Sequence, residues 1–234
     1  MLYLRSIEVI AILSSRAVRL TATLAVLLML MRPEAWAQPI STGAFWTRIP
    51  AVTVVAVAPT DPRLALVRDA VEFWNRTFAE IGSAFRLGPV AVVSGEIPLG
   101  DLLQLSQMVV GHGGPVSLPA SVANQTGDLV VALSDGEFIS FCGRSESGNK
   151  ALVAIKSVYS TPLTLPNVPR NVIAHEIGHA LGLGHNNDPA MLMCGRPASC
   201  RPDAFASPNE HYFPLTAAEK MQLVALYPST WKPR

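Results

Sequence analysis

The sequence has few cysteines, few charged residues and no excess of either charge, and each shortage excludes a class of protein. Three cysteines in 234 residues are too few for a fold built on disulfides. Charged residues make up 15% of the chain and apolar residues 50%, which excludes an intrinsically disordered protein. A formal net charge of +1 excludes a protein that binds nucleic acid through bulk positive charge. The class that remains is a globular protein with a substantial core.

The first 37 residues predict a secretory signal peptide. Arg16 and Arg19 precede an uninterrupted apolar run, 20–31, which has 12 residues and is followed by the triplet Ala35-Trp36-Ala37. A basic lead, a short apolar stretch and a small-residue cleavage site are typical of such signals. The alternative is an uncleaved membrane anchor, which needs about 20 apolar residues. We therefore predict that residues 1–37 are removed and that the protein is exported, to the periplasm or the cell exterior, without stable membrane association.

Residues 38–234 predict a single domain in which strands and helices alternate. The run 51–57 is continuous and mostly β-branched, which is typical of a strand covered on both faces. A helix with one apolar face follows, from Asp61-Pro62 to Gly82. Thr216 and Glu219 have the spacing of a capping box and predict a final helix over 215–227. Between these elements the pattern predicts strands at 85–93, 128–133, 138–142 and 151–158, and helices at 99–110 and from 168–171 onward. This order indicates an α/β or α+β fold.

The segment 175–185, HEIGHALGLGH, carries three histidines with the spacing of metal ligands. On a helix, His175 and His179 lie one turn apart on the same face, so both rings can reach one ion. Gly182 can adopt a positive φ, so the helix can end there and turn His185 toward the same ion. Three imidazoles leave one tetrahedral position for water, as in catalytic zinc sites. Glu176 can accept a proton from that water and return it to a leaving amine.

The same segment resembles the H-E-x-x-H-x-x-G-x-x-H sequence of the metzincin zinc peptidases. The residues that follow, NNDPAMLM at 186–193, resemble the matrixin branch, whose Leu-Met pair favours Met193 over Met191 as the methionine beneath the metal. The resemblance implies a mixed twisted sheet, a long helix after the first strand, a zinc-binding helix, a Met-turn and a C-terminal helix. It also implies that an extended polypeptide substrate pairs with an edge strand, at 138–142 or at 151–158.

The pairing of the three cysteines is left open by the sequence. Cys194 and Cys200 are close in the chain, and in an exported protein a disulfide between them is favoured, with Cys142 left over. Pairing of Cys142 with either of the others, or three buried thiols, are the alternatives.

One catalytic Zn²⁺ is the predicted cofactor. Calcium stabilises many members of the family that the sequence resembles, but this chain has no dense loop of Asp and Asn. Asp135 and Glu137 flank one glycine, and two acidic residues are weak support for a calcium site. A calcium ion is therefore left open.

The function predicted from these residues is that of an exported zinc endopeptidase. His175, His179 and His185 bind the ion, Glu176 activates a metal-bound water, and Gly182 and Met193 support the site. The alternative is an exported zinc-containing module that binds peptides without cleaving them, and a third reading is a zinc amidase that acts on another polymer. The predicted partner is an extended polypeptide, and no nucleic-acid partner is expected.

Overall fold

The computed structural model describes residues 46–112, 114–196 and 198–234, so the predicted signal peptide and its cleavage site lie outside the described residues. All described residues fall within one compact unit. In chain order the elements are β1 (Val52–Ala56), α1 (Arg63–Glu80), β2 (Val90–Ser94), α2 (Leu99–His112), α3 (Ala120–Ala123), β3 (Leu129–Leu133), β4 (Phe141–Arg144), β5 (Ala151–Ile155), α4 (Val168–Ala180), a 3-10 turn (Pro202–Phe205) and α5 (Ala217–Leu226).

The strands of the described residues form one mixed sheet in the order β2-β1-β3-β5-β4. Strands β2, β1, β3 and β5 are parallel, and β4 runs antiparallel to β5. This confirms the predicted α/β class with a mixed sheet. Every residue of β1, β3 and β5 is buried, as expected for strands covered on both faces. Because β5 lies inside the sheet, the prediction that 151–158 could form a substrate-binding edge is wrong; β4 and β2 are the edges.

Helices cover both faces of this sheet. Alternate residues of β1 contribute to different hydrophobic clusters, Val54 to one and Val55 to the other, so the clusters lie on opposite faces. The larger cluster includes Trp74 of α1 and residues of α4 and α5, while the smaller one includes Leu102 of α2. The zinc-motif helix packs against α1 and against strands β4 and β5, which gives it a rigid support.

Strands β2 and β4 begin later in the chain than predicted, because the apolar residues before them are buried without pairing with a neighbouring strand. The segment before β2 holds Phe85 and Leu87 in the core, but the strand pairing with β1 begins only at Val90. In the same way Phe138 is buried in the loop before β4, which starts at Phe141 and continues beyond Cys142. At both places the apolar run correctly indicates buried residues, but the residues that pair with a neighbouring strand begin later in the chain.

The helix ends agree more closely with the sequence. Helix α1 begins at Arg63, and the Asp61 carboxylate accepts a hydrogen bond from the Arg63 backbone N–H at 2.8 Å. The capping box of α5 is present, because Thr216 and Glu219 each accept a hydrogen bond from the backbone N–H of the other. Among the described residues, no helix has the length and apolar character that a membrane span requires.

A buried arginine joins α1 to the sheet. The side chain of Arg63 is 3% exposed. Its guanidinium pairs with Asp61 at 2.6 Å and with Asp135 at 3.0 Å. It also donates to the carbonyls of Ser134 at 2.6 Å and Lys156 at 3.0 Å, at the ends of β3 and β5. One cation thus satisfies acceptors from three parts of the fold.

Candidate metal centre

Helix α4 positions the first two histidines, and polar contacts hold the chain that follows the motif against this helix. Asn167, with a left-handed φ of 69°, precedes the helix, and its side chain binds backbone groups of Phe205 and His211. The Asn171 amide donates to His211 O at 2.9 Å and accepts from Phe213 N–H at 2.9 Å. The segment after the Met-turn is therefore fixed along the helix that carries the ligands.

The three predicted ligands converge on one point. The Nε2 atoms of His175, His179 and His185 lie 3.0 to 3.2 Å from one another. Zinc–nitrogen bonds of about 2.0–2.1 Å in tetrahedral geometry place two nitrogens about 3.3–3.4 Å apart, so the spacing fits a single zinc ion. These are the three residues that the sequence predicted, and among the described residues they form a group that could hold a metal.

Backbone carbonyls fix which ring nitrogen of each histidine carries the proton. His175 Nδ1 lies 2.7 Å from Leu192 O, His179 Nδ1 lies 2.8 Å from Leu183 O, and His185 Nδ1 lies 2.8 Å from Arg196 O. A carbonyl can only accept, so each Nδ1 donates and each neutral ring presents an unprotonated Nε2. Three lone pairs that face one another repel, and a bound cation removes this repulsion. Such outer hydrogen bonds are typical of zinc-binding histidines.

Burial keeps the histidines neutral, which metal binding requires. Loss of solvent lowers the pKa of His175 to about 4, and the hydrogen bond to Leu192 only partly opposes it. The pKa of His179 is lowered well below its usual range, first by burial and then by the two neighbouring histidines. Partial burial also lowers the pKa of His185. None of the three rings therefore needs to lose a proton before it binds a cation at neutral pH.

Gly182 turns the chain toward His185. It adopts a φ of +104°, and Leu183 N–H donates to Gly178 O at 3.0 Å across the helix end. This is the positive-φ termination that the sequence predicted at this glycine. Helix α5 holds the turn in place, since Gln222 donates to Gly182 O at 2.6 Å and the Tyr227 hydroxyl donates to Leu181 O at 3.1 Å.

Met193 packs against the zinc-motif helix, and its place beneath the metal stays a prediction from the resemblance. It is fully buried, whereas Met191 is only half-buried. A Cβ on Gly178 would lie 2.6 Å from Met193 Sδ and 3.0 Å from Trp74 Cζ2, so only glycine lets the helix approach the methionine. Gly178 was not assigned to the site from the sequence. The signal was available, because a glycine inside a helix is unfavourable and its presence indicates close packing.

Glu176 lies between the histidines in the sequence, on helix α4, which packs against the edge strand β4. It is 8% exposed, and burial raises its pKa to about 8. A cation held by the neighbouring histidines would favour the ionised form. The pKa of the Cys142 thiol in β4 is raised by burial and, secondarily, by the Glu176 carboxylate. The carboxylate is therefore near enough to β4 to influence its thiol.

The cysteines pair in the way that the sequence favoured. Cys194 and Cys200 form a disulfide, and their Cα atoms are 5.8 Å apart. Cys142 has a free thiol. The disulfide closes a short loop directly after Met193. The contacts of this loop with the third histidine were not foreseen from the sequence.

Asn186 and Glu219 are two further residues that the sequence analysis did not assign to the site. The Asn186 amide donates to the Glu219 carboxylate at 2.6 Å, and this links the residue after the third ligand to the final helix. Glu219 was predicted only as a cap. No local pattern reveals a contact between residues 33 positions apart.

Comparison with known proteins supports the assignment of the site. The matrixin family model matches residues 166–209, which span the zinc motif, the Met-turn and the disulfide. No curated protein matches the chain. Among solved structures, archaemetzincin from Methanopyrus kandleri is similar, with 18% identity, a TM-score of 0.47 and coverage of 77% of this chain and 96% of that one.

The segment that matches the matrixin model and the geometry of the histidines are those of a zinc metallopeptidase. His175, His179 and His185 are the residues that bind one Zn²⁺. The matched family is a family of peptidases, which implies polypeptide substrates.

Proposed function

We propose that this chain is an exported endopeptidase in which Glu176 acts as the base and then as the acid of peptide hydrolysis. The observation that carries the proposal is the combination of three converging Nε2 atoms with a buried carboxylate on the helix that supplies two of them. A site that only bound zinc or peptide would not need that carboxylate, whose burial is unfavourable.

Zinc, when bound, supplies Lewis-acid chemistry that polarises a carbonyl and makes water more acidic. The residues of the chain then have separate tasks. Glu176 takes a proton from the attacking water and delivers it to the nitrogen of the leaving amine. Burial has moved its pKa toward neutrality, which suits a group that must both accept and donate a proton.

The edge strand β4 offers a place for an extended substrate. Arg144 O accepts a hydrogen bond from Val116 N–H at 2.7 Å, so the backbone of Arg144 points away from β5. Along a strand, the N–H and C=O groups of successive residues point to opposite sides. Cys142, two residues before Arg144, therefore also presents its N–H and C=O to the side of β4 away from β5. A peptide that pairs there would pass close to Glu176. The bridge between Val116 and Ser145 covers the edge just beyond this position.

Cleavage profiling of a peptide library tests the proposed activity. We expect internal peptide bonds to be cut by the purified protein, cleavage to fall to background after a chelator removes zinc, and zinc to restore it. Mass spectrometry identifies the cut bonds, and metal analysis follows zinc in the same samples. Peptides that bind but stay intact would instead indicate the non-catalytic module, and cleavage that persists in zinc-free protein would contradict the proposal.

The N-terminal residue of the protein recovered outside the cytoplasm tests the prediction of export. We expect that protein to begin at Gln38, with a mass that corresponds to residues 38–234, because the signal would be cut after Ala37. A chain in which Ala35 and Ala37 are replaced by bulky residues should keep its N-terminal segment. Recovery of the uncleaved chain from the cytoplasm only would contradict export.

A further inference from the structure

The third histidine has weaker local support than the other two. His175 and His179 belong to a helix that is packed on the sheet, and His175 is only 8% exposed. His185 follows the helix in an irregular segment and is exposed. The residue before it, Gly184, has open space around the position of a Cβ. Burial therefore does little to fix the direction of the His185 ring.

The loop closed by the Cys194–Cys200 disulfide supplies the missing support. Arg196 O, inside this loop, accepts the hydrogen bond from His185 Nδ1 at 2.8 Å. Gly195 lies against the face of the same ring, since a Cβ there would be 2.5 Å from Nε2 and 2.7 Å from Cγ of His185. The loop thus contacts the ring by a hydrogen bond and by close packing.

Gly195 is needed for space rather than for an unusual backbone conformation. It is not among the glycines with positive φ, so alanine is compatible with its backbone. An added methyl group would displace the His185 ring, which is free to swing toward solvent. The rest of the fold would tolerate that movement, but His185 would leave the position from which it can bind zinc.

The base of the loop is fixed by the disulfide and by contacts on its Cys194 side. Cys194 and Cys200 are 7% and 8% exposed, so the bridge is buried. Cys194 pairs with Asn186, the neighbour of His185, in an isolated bridge, and Gly195 N–H donates to Asn186 O at 3.3 Å. These contacts set the distance between the loop and the third ligand.

We propose that the Cys194–Cys200 loop positions the third zinc ligand, with Gly195 providing room for the His185 ring and Arg196 O fixing its Nδ1–H. Gly195 and Arg196 are positioning residues, and the disulfide keeps both in place. The inference rests on the zinc site and not on the proposed hydrolysis, so it can be tested by metal binding alone.

Gly195→Ala tests the packing part of the proposal. We expect zinc affinity to fall about 10- to 100-fold, the range found for loss of outer contacts to a ligand, while the melting temperature of the metal-free protein stays unchanged. Competition with a chromophoric chelator measures the affinity, and the visible spectrum of the Co²⁺-loaded protein should show altered coordination. Gly184→Ala is the matched control, because its Cβ meets nothing within 4 Å.

The double variant Cys194→Ser/Cys200→Ser tests the disulfide independently. We expect about a 10-fold or greater loss of zinc affinity and faster zinc release, with His175 and His179 still in place on α4. If either variant binds zinc within about twofold of its reference and gives an unchanged Co²⁺ spectrum, the loop does not position His185 and the proposal is overturned. Loss of hydrolysis with normal zinc binding would count against the proposal as well.

Discussion

Replacing Glu176 with glutamine is expected to lower kcat/KM for peptide cleavage about 10³-fold, the middle of the range for a positioned general acid–base group. Glutamine has nearly the same shape as glutamate, but it cannot accept the proton of the attacking water. The histidines and their carbonyl partners are unchanged, so zinc should remain bound at one equivalent. Peptide kinetics and metal analysis on the same preparation separate the two effects.

Glu72→Gln is the control for this substitution. Glu72 lies on α1 and its side chain is 70% exposed, so its replacement should leave kcat/KM unchanged. A Glu176→Gln protein that still cleaves at the wild-type rate would remove Glu176 from the reaction. If it loses zinc as well as activity, Glu176 serves the metal site and not proton transfer.

The second large effect is expected for stability, at Arg63. Replacing this residue with methionine keeps much of its volume but removes the buried cation that pairs with Asp61 and donates to two carbonyls directly after β3 and β5. Breaking a buried ion pair by removing one partner costs about 3–5 kcal/mol in the free energy of unfolding. Chemical denaturation of the metal-free protein, monitored by fluorescence, measures this quantity without a contribution from zinc.

Arg76→Met makes the matching comparison on the same helix. The Arg76 side chain is 64% exposed and its nearest contact to Glu72 is 4.0 Å. Its replacement should change the free energy of unfolding by less than about 0.5 kcal/mol. An Arg63→Met protein as stable as the Arg76→Met protein would show that the buried network does not stabilise the fold.

The parts of the site that were predictable are those that a short segment determines. His175 and His179 are one helical turn apart, so their spacing predicts that they share a helix face. Gly182 was predictable as the end of the helix because glycine readily adopts a positive φ. The capping box at Thr216 is local for the same reason. The strand interiors were predictable because buried parallel strands need continuous apolar runs.

The parts that were missed depend on contacts between distant residues. The position of Gly195 against His185 and the link between Asn186 and Glu219 arise only after the chain has folded. The edge of the sheet was similarly ambiguous, because β4 and β5 are neighbours in the chain and only the pairing of β5 with β3 decides which one is interior. Arg63 gave no signal either, since its partners lie 71 and 93 residues away.

The two ends of the described domain are in contact, which permits a circular permutation of the chain. Arg234 N–H donates to Thr47 O at 2.7 Å, and the Trp231 indole donates to Trp46 O at 3.3 Å. A few glycines could join residue 234 to residue 46, and new ends could be opened in the polar hairpin between β4 and β5. Such a circular permutant would start about 25–30 residues before His175, so the metal-binding segment would lie in the first quarter of its reading frame, and a fusion partner or tag at either new end would not adjoin it.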